Sequence, residues 1–407
     1  MAMAGLVTRM QEFGTTIFAE MSALAVRTGA INLGQGFPDT DGPAEVIEAA
    51  VEALRTGQNQ YPPGPGIAAL RQAIARHQRH WYGLDYDPDS EVMVTAGATE
   101  AITAAILALC EPGDEVLCLE PYYDSYAACI ALAQAVRKPV LLHAPTEPGG
   151  RFTFDPAQLR AAITPKTKVL LLNSPHNPTG FVATREELAA IAQICVDHDL
   201  VAITDEVYEH LVFTDAAAYK NDPAVESVRS GHIPLATFPG MRERTIQISS
   251  VGKTFSFTGW KVGWVCARPE LVSAVTKVKQ FMTYVNAAPL QPAVAVALNL
   301  DASYYPDFAA GMQSRRDLLR TGLADAGLTV LRTEGTYFVT CDVSSLGVTD
   351  GLEFCRAMPE RCGVVAIPSQ VFYDHQDEAR HLVRFAFCKR PEVLTEAAKR
   401  LAKLKTG

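Results

Sequence analysis

The sequence predicts an α/β protein whose larger part is a mostly parallel seven-stranded sheet, followed by a smaller α+β unit. Three observations predict it. Between about residues 45 and 290, short apolar and often β-branched runs alternate with longer stretches of helical spacing, as parallel strands covered by helices on both faces require. After Pro289 the alternation stops, and helix-patterned sequence precedes three further strand-like runs. The chain's 407 residues, 48% of them hydrophobic, also exceed what one core usually holds, so more than one domain is expected.

Taken in order, residues 1–44 carry a short helical pattern and then Gly34-Gln35-Gly36-Phe37-Pro38, too rich in glycine and proline for regular structure. They are read as an arm that also forms part of the small domain. The large domain, residues 45–290, has candidate strands at Val92–Thr95, Glu115–Leu119, Pro139–Leu142, Lys168–Leu172, Leu200–Thr204, Thr245–Ser249 and Val262–Cys266. Segments such as Arg185–His198, with helical spacing and an acidic first turn, separate them. The small domain, residues 291–407, opens with a helical stretch to about Leu323. Strand-like Thr336–Cys341, Val364–Ile367 and His381–Phe387 follow, and a last helix starts at Pro391. The chain shows no internal repeat and no low-complexity linker.

The formal charge of -9, with no basic run, argues against nucleic acid as a partner and leaves small molecules or other subunits. None of the nine cysteines forms a C-x-x-C pair and several lie in apolar runs, which reads as buried free thiols in a reducing compartment. Met1 to Glu20 lacks the basic flank and apolar stretch of a leader, and no apolar run reaches the roughly 18 residues that a membrane helix needs. A soluble cytoplasmic protein is expected, with no membrane partner and no metal.

In open parallel sheets ligands bind beyond the carboxyl ends of the strands, so polar residues directly after apolar runs carry most information. Four runs end in such groups: the run to Leu172 leads into Asn173 and Asn177-Pro178-Thr179-Gly180, and the run to Thr204 into Asp205 and Tyr208. The run to Ser249 leads into Ser250 and Lys253, and the run to Leu119 into Tyr122 and Tyr123. Singly each signal is weak, since a lysine there can be solvated, Asn-Pro-Thr-Gly can be only a turn and Asp205 only a helix cap. Together they furnish an amine, an acid, an amide, phenols and hydroxyls at one edge. Thr95-Ala96-Gly97-Ala98-Thr99-Glu100, before an alanine-rich helix, adds a helix N-terminus with small residues, suited to a phosphate but also ordinary strand-to-helix punctuation.

Ser249-Ser250-Val251-Gly252-Lys253-Thr254-Phe255-Ser256 with Gly259-Trp260-Lys261-Val262-Gly263-Trp264, and the run from Asn32-Leu33-Gly34-Gln35-Gly36-Phe37-Pro38-Asp39 to Leu382-Val383-Arg384-Phe385, resemble the class I/II aminotransferases of the fold-type-I pyridoxal-phosphate superfamily. Gln60-Tyr61-Pro62-Pro63 and Glu120-Pro121-Tyr122-Tyr123-Asp124-Ser125-Tyr126 are most similar to the subgroup holding kynurenine, methionine and N-succinyldiaminopimelate aminotransferases. The resemblance implies that Lys253 carries pyridoxal 5'-phosphate as a Schiff base and later moves the proton at the substrate α-carbon. A lysine serves as base only if positive charge or desolvation lowers its pKa, and Lys261 is a candidate source of that charge. Asp205 would keep the ring nitrogen protonated, and Tyr208 and Asn177 would donate to the phenolic oxygen.

By the same resemblance Tyr123 stacks on the ring, while Ser250, Lys261 and the backbone of Gly97, Ala98 and Thr99 hold the phosphate. Tyr61 reaches the neighbouring subunit's cofactor, which implies a homodimer. Arg384 would take the substrate α-carboxylate through two parallel hydrogen bonds, with Asn177 and the Gly36 backbone completing that pocket. His176, beside Asn177, is expected to pack and shape its loop. Tyr284-Val285-Asn286-Ala287-Ala288-Pro289 aligns with a segment that in kynurenine aminotransferase carries bulky aromatic and histidine side chains. The smaller Asn286 and Ala287, and Thr99 where that relative has tyrosine, favour a longer or more polar substrate than an aromatic one.

The expected reaction is transamination between an L-amino acid and a 2-oxo acid such as 2-oxoglutarate, in the manner of an N-succinyldiaminopimelate aminotransferase of lysine synthesis. A kynurenine, methionine or glutamine transaminase of broad specificity, and a cysteine-conjugate β-lyase, are the alternatives within the same chemistry. An effector-binding domain of a transcription regulator is the non-enzymatic alternative, disfavoured by the acidic balance.

Overall fold

The computed structural model describes residues 5, 7–220 and 231–406. A first short strand, β1 (Ile31–Asn32), follows a helix at Ile17–Thr28 that Thr16 caps by accepting from the Ala19 N–H and that Gly29 ends in left-handed conformation. The large sheet then comprises β2 (Val92–Thr95), β3 (Glu115–Glu120), β4 (Val136–Leu141), β5 (Thr167–Asn173), β6 (Val201–Asp205), β7 (Thr245–Ser250) and β8 (Gly263–Cys266). Their order is β2-β8-β7-β6-β5-β3-β4. β4, β3, β5, β6 and β7 are parallel, and β8 runs against both β7 and β2. Seven strands with one reversed is the mostly parallel sheet that the alternating pattern predicts.

Both faces of this sheet are buried. In β5, Val169 and Leu171 pack with Ala101, Ile102 and Ile106 of the helix Gly97–Leu109, whereas Leu170 and Leu172 pack with Leu188 and Ile191 of the helix Arg185–Asp197. The two-residue period of a strand makes this division, and it explains why the central runs read as continuously apolar. The helix Arg185–Asp197 opens with a capping box in which Thr184 and Glu187 satisfy each other's backbone N–H.

The fourth strand starts earlier than its apolar run, at Val136 instead of Pro139. It lies at the sheet edge, where Arg137 and Lys138 stay partly exposed and Pro139 costs no ladder hydrogen bond to a further strand, so its polar half carries no hydrophobic signal.

Beyond Pro289 the helical stretch is broken into Gln291–Leu298 and Tyr304–Asp325, with Asn299 closing the first helix through its side chain onto the Ala295 carbonyl. A four-stranded antiparallel sheet follows, built from β9 (Thr329–Val330), β10 (Phe338–Asp342), β12 (Ile367–Pro368) and β13 (Leu382–Ala386) in the order β12-β13-β10-β9. The run Val364–Ile367 is divided: β11 (Val364–Val365) pairs in parallel with β1, and only its end joins β13. The last helix is Pro391–Leu401. No helix among the described residues is long and apolar enough to cross a membrane. All nine cysteines are free thiols, and all but the partly buried Cys110 are buried.

Candidate active site

A cavity of about 460 Å³ opens at the carboxyl ends of the parallel strands. Lys253, Asp205, Tyr208, Asn177, Tyr123 and Ser250 line it, as do Lys261, Gly97, Ala98, Thr99, Gly36 and Arg384. Of the predicted site residues only Tyr61 lies elsewhere: it is 81% exposed and meets Tyr284 edge-on at 5.4 Å between ring centres.

Asp205, the last residue of β6, is buried at the cavity wall. Its carboxylate accepts from the Tyr126 hydroxyl at 2.5 Å, and its backbone carbonyl accepts from the Asn173 amide at 2.8 Å. Burial raises its pKa, with the Tyr126 hydrogen bond acting against that rise. Such a carboxyl gains strongly from a cationic N–H placed against it.

Lys253 is the third residue of the four-residue helix Val251–Thr254 that β7 feeds. Its Nζ lies 3.5 Å from the Gly36 carbonyl and 5.5 Å from the centre of the Tyr208 ring, and its own carbonyl accepts from the Tyr337 hydroxyl. Burial lowers its pKa and the charges of Arg384 and Lys261 add to the effect, while Cys388 and Asp205 oppose it. Desolvation is therefore the larger cause and the Lys261 charge the smaller one, and both shift the amine in the direction that a base needs.

The helix Gly97–Leu109 begins at the cavity, and Ala96 at its N-cap offers no side-chain acceptor, so no cap side chain takes up the first N–H groups of a helix whose opening residues line the cavity. Gly97 has φ +78, a conformation that favours glycine. Across from it, a Cβ on Gly263 would lie 2.7 Å from the Gly97 carbonyl carbon and 3.0 Å from the Ala98 nitrogen. The bare glycine lets β8 close against this turn. Lys261 and Ser250 complete a cup of N–H groups, a hydroxyl and a positive charge, which suits a phosphate. Asn286 holds the cup's edges together by donating to the Thr95 carbonyl at 3.0 Å and the Lys261 carbonyl at 3.3 Å.

On the opposite side Arg384, at the middle of β13, is 2% exposed. It donates to the Asn177 side-chain oxygen at 2.8 Å and the Gly34 carbonyl at 3.2 Å, and its guanidinium lies 3.9 Å from the centre of the Phe338 ring. Its Nε is buried with no hydrogen-bond partner among the described residues. Burial pushes its pKa down to about 10, which still leaves it charged near neutrality. A buried, incompletely satisfied guanidinium facing a cavity matches a carboxylate. His176 stays outside the cavity, 1% exposed, with Nδ1 2.8 Å from the Thr179 hydroxyl; burial pushes its pKa down to about 3.

Several side chains at the site carried no separate sequence reading. Tyr126 holds Asp205, Asn173 holds both Asp205 and the Asn177 N–H (2.7 Å), and Phe18 and Phe338 wall the Arg384 side. Tyr126 lies three residues beyond Tyr123 in the same motif, but its contact with Asp205 depends on how the helix Ser125–Leu132 packs beside the end of β6.

Sheet and cavity together define a class, the fold-type-I α/β transferases, in which the strand ends present a lysine and an acid beside a helix N-terminus. The chain belongs to the aminotransferase class I and II family, which residues 28–401 match, and that family works with pyridoxal phosphate. It is similar to a probable N-succinyldiaminopimelate aminotransferase DapC of Mycobacterium tuberculosis, at 51% identity over 98% of each chain. It is also similar to a methionine aminotransferase of Escherichia coli, at 40% identity over 98% of each. Among solved structures, N-succinyldiaminopimelate aminotransferase from Mycobacterium tuberculosis superposes with a TM-score of 0.92 at 52% identity, covering 98% of this chain and all of the other.

Proposed function

We propose that this enzyme transfers an amino group between N-succinyl-diaminopimelate and the 2-oxoglutarate/glutamate pair, as a step of diaminopimelate and lysine synthesis. The observation that carries the reading is 51% identity to the DapC protein along 98% of both chains. Pyridoxal 5'-phosphate, when bound, supplies an electron sink that makes the substrate α-proton acidic.

The chain's own residues divide the remaining work. Lys253 would hold the cofactor and would take and return the substrate α-proton; its burial lowers its pKa in the direction that this needs. Asp205, kept in place by Tyr126, holds a proton on the ring nitrogen. Tyr208 and Asn177 donate to the ring oxygen, and Tyr123 stacks on the ring face. Gly97, Ala98, Thr99, Ser250 and Lys261 bind the phosphate. Arg384 binds the α-carboxylate with Asn177 and the Gly36 backbone, and this fixes which hydrogen faces Lys253.

The proposal includes a cytoplasmic homodimer. Tyr61 stands 81% exposed outside its own chain's cavity, next to Tyr284, which is 53% exposed and follows the 86%-exposed Phe281 by three residues in the chain. That apolar patch supports a partner subunit whose cofactor phosphate Tyr61 would reach. Nine free thiols fit a reducing compartment. Thr99 at the cavity and Asn286 turned onto the phosphate cup leave room for a long polar side chain.

The similarity to the methionine aminotransferase supports a second reading, a transaminase of broad specificity. Following the visible absorption of the cofactor-loaded protein against N-succinyl-diaminopimelate, glutamate, kynurenine and methionine separates the two. N-succinyl-diaminopimelate and glutamate should discharge the band fastest, and Lys253→Ala should respond to none. Faster discharge by methionine or kynurenine would overturn the first reading.

A further inference from the structure

Behind the cavity wall lies a buried polar layer that the proposed chemistry does not use. From Asp205 onward the backbone alternates sides: Asp205, Val207 and Tyr208 face the cavity, whereas Glu206, Glu209 and His210 do not line it. Strand β7 does the same, with Ser250 in the cavity and Gln247 and Ser249 buried outside it. The two rear rows meet. Glu206 accepts from Thr204 at 2.7 Å and from the Gln247 amide at 2.8 Å, and lies 2.8 Å from the His232 Nε2. Glu209 accepts from the Ser249 hydroxyl at 2.5 Å.

Glu209 is 2% exposed, and no lysine or arginine pairs with it among the described residues. Its polar neighbours are Ser249 and Tyr82, with Glu206, His232, His77 and His210 beyond them. His77 and His210 share a hydrogen bond between their Nε2 atoms at 2.7 Å inside a cage of Trp81, Tyr82 and Tyr305. Burial drives both imidazoles to the neutral form, so neither offers Glu209 a counter-charge. A buried acid with no lysine or arginine beside it is costly for folding. Its position suggests what it does instead: it is next to Tyr208, while Ser249 is next to Ser250 and four residues before Lys253.

We propose that Glu209 is a positioning residue, which through Ser249 locks the turn carrying Tyr208 to the strand end carrying Ser250 and Lys253. The inference rests on the assignment of Tyr208 and Lys253 to the cofactor. This short hydrogen bond adds to the Gln247–Glu206 bond and the Glu206 N–H to Ile248 carbonyl bond (2.8 Å each) between the two segments that must keep phenol and amine in register on the same ring. A carboxyl is suited to it because it accepts from Ser249 with one oxygen while the other stays near the Tyr82 hydroxyl. Burial raises its pKa to about 7, so the strut also changes charge near neutrality.

The test compares cofactor-loaded wild type with Glu209→Gln, Ser249→Ala and the double variant. It reads three quantities: the pH midpoint of the cofactor's visible absorption, kcat and KM for the amino donor, and the thermal midpoint. Both single variants should lower kcat about tenfold, as expected for slight misplacement of reacting groups, with KM within about twofold because Arg384 is untouched. Both should move the absorption midpoint in the same direction, and the double variant should add little to either. If Glu209→Gln does not fold, Ser249→Ala decides alone. Variants that lose only thermal stability, with kcat and the absorption midpoint unchanged, would overturn the positioning role. Wild-type protein that takes up no cofactor would instead sink the assignment of Tyr208 and Lys253 on which it rests.

Discussion

At the scale of single residues the cavity holds two basic side chains, Lys253 and Arg384, whose pKa values burial lowers from very different starting points. Desolvation lowers the Lys253 pKa, whereas Arg384, with a far higher intrinsic pKa, stays charged although buried. The proposed base and anion receptor can thus share one cavity. The planar guanidinium is what the Asn177 and Gly34 contacts orient, and a lysine ammonium cannot reproduce that geometry. Arg384→Lys should therefore lower kcat/KM for amino donor and 2-oxo acid alike by roughly tenfold to a hundredfold, about 1–3 kcal/mol. Steady-state kinetics on both half-reactions check this, and unchanged values would remove Arg384 from substrate recognition. These two residues were legible in the sequence because the motifs around them are distinctive. Tyr126, whose role comes from touching Asp205, was not, since that contact joins residues 79 positions apart.

At the scale of elements, the cup at the start of the helix Gly97–Leu109 depends on how closely β8 approaches it. The added methyl of Gly263→Ala would press on Gly97 and Ala98 backbone, which has no flexible side chain to yield. A loss of about 1–3 kcal/mol in stability is expected from such overpacking, together with weaker uptake of the phosphate-bearing cofactor. Denaturant unfolding of the cofactor-free chain and equilibrium binding of pyridoxal phosphate measure the two effects. Wild-type behaviour in both would show that the turn can move aside. Most strands were readable from apolar runs because both sheet faces are buried. The two-residue β1 and β9 were not, since Ile31–Asn32 and Thr329–Val330 are too short for periodicity to register.

At the scale of the whole molecule, the small antiparallel sheet is tied back to the large one near Tyr123. The Tyr122 N–H donates to the Phe372 carbonyl, and the Tyr122 hydroxyl meets Asp374 at 2.7 Å. Arg137 of β4 reaches the same Asp374 with two hydrogen bonds, at 2.8 and 2.7 Å. Next to them the fully buried Glu120 accepts from the His375 N–H and lies 2.7 Å from its Nδ1. The hydrogen bond to Glu120 raises the His375 pKa above its usual value. A histidine raised on folding contributes stability that is fully present below its unfolded pKa of about 6.5 and is lost as pH rises through the folded value. The thermal midpoint should therefore fall slightly as pH rises above about 6.5, and less so in His375→Gln. The ring is largely exposed, so the effect is small. Parallel curves for the two proteins would show that this strap adds nothing to the pH dependence.

The sequence by itself determined the alternation of strands and helices, the family, and which residues stand at the strand ends. Each of these is written in local pattern: a run's periodicity, or residues a few positions apart. Tertiary structure decided the reversed β8, the splitting of Val364–Ile367 between two sheets, and the pairing of Asn177 with Arg384 across 207 positions. It also decided that the amine of Lys253 owes its lowered pKa chiefly to burial. Strand order, desolvation and long-range hydrogen bonds depend on which surfaces meet when the chain folds, and no local pattern encodes that.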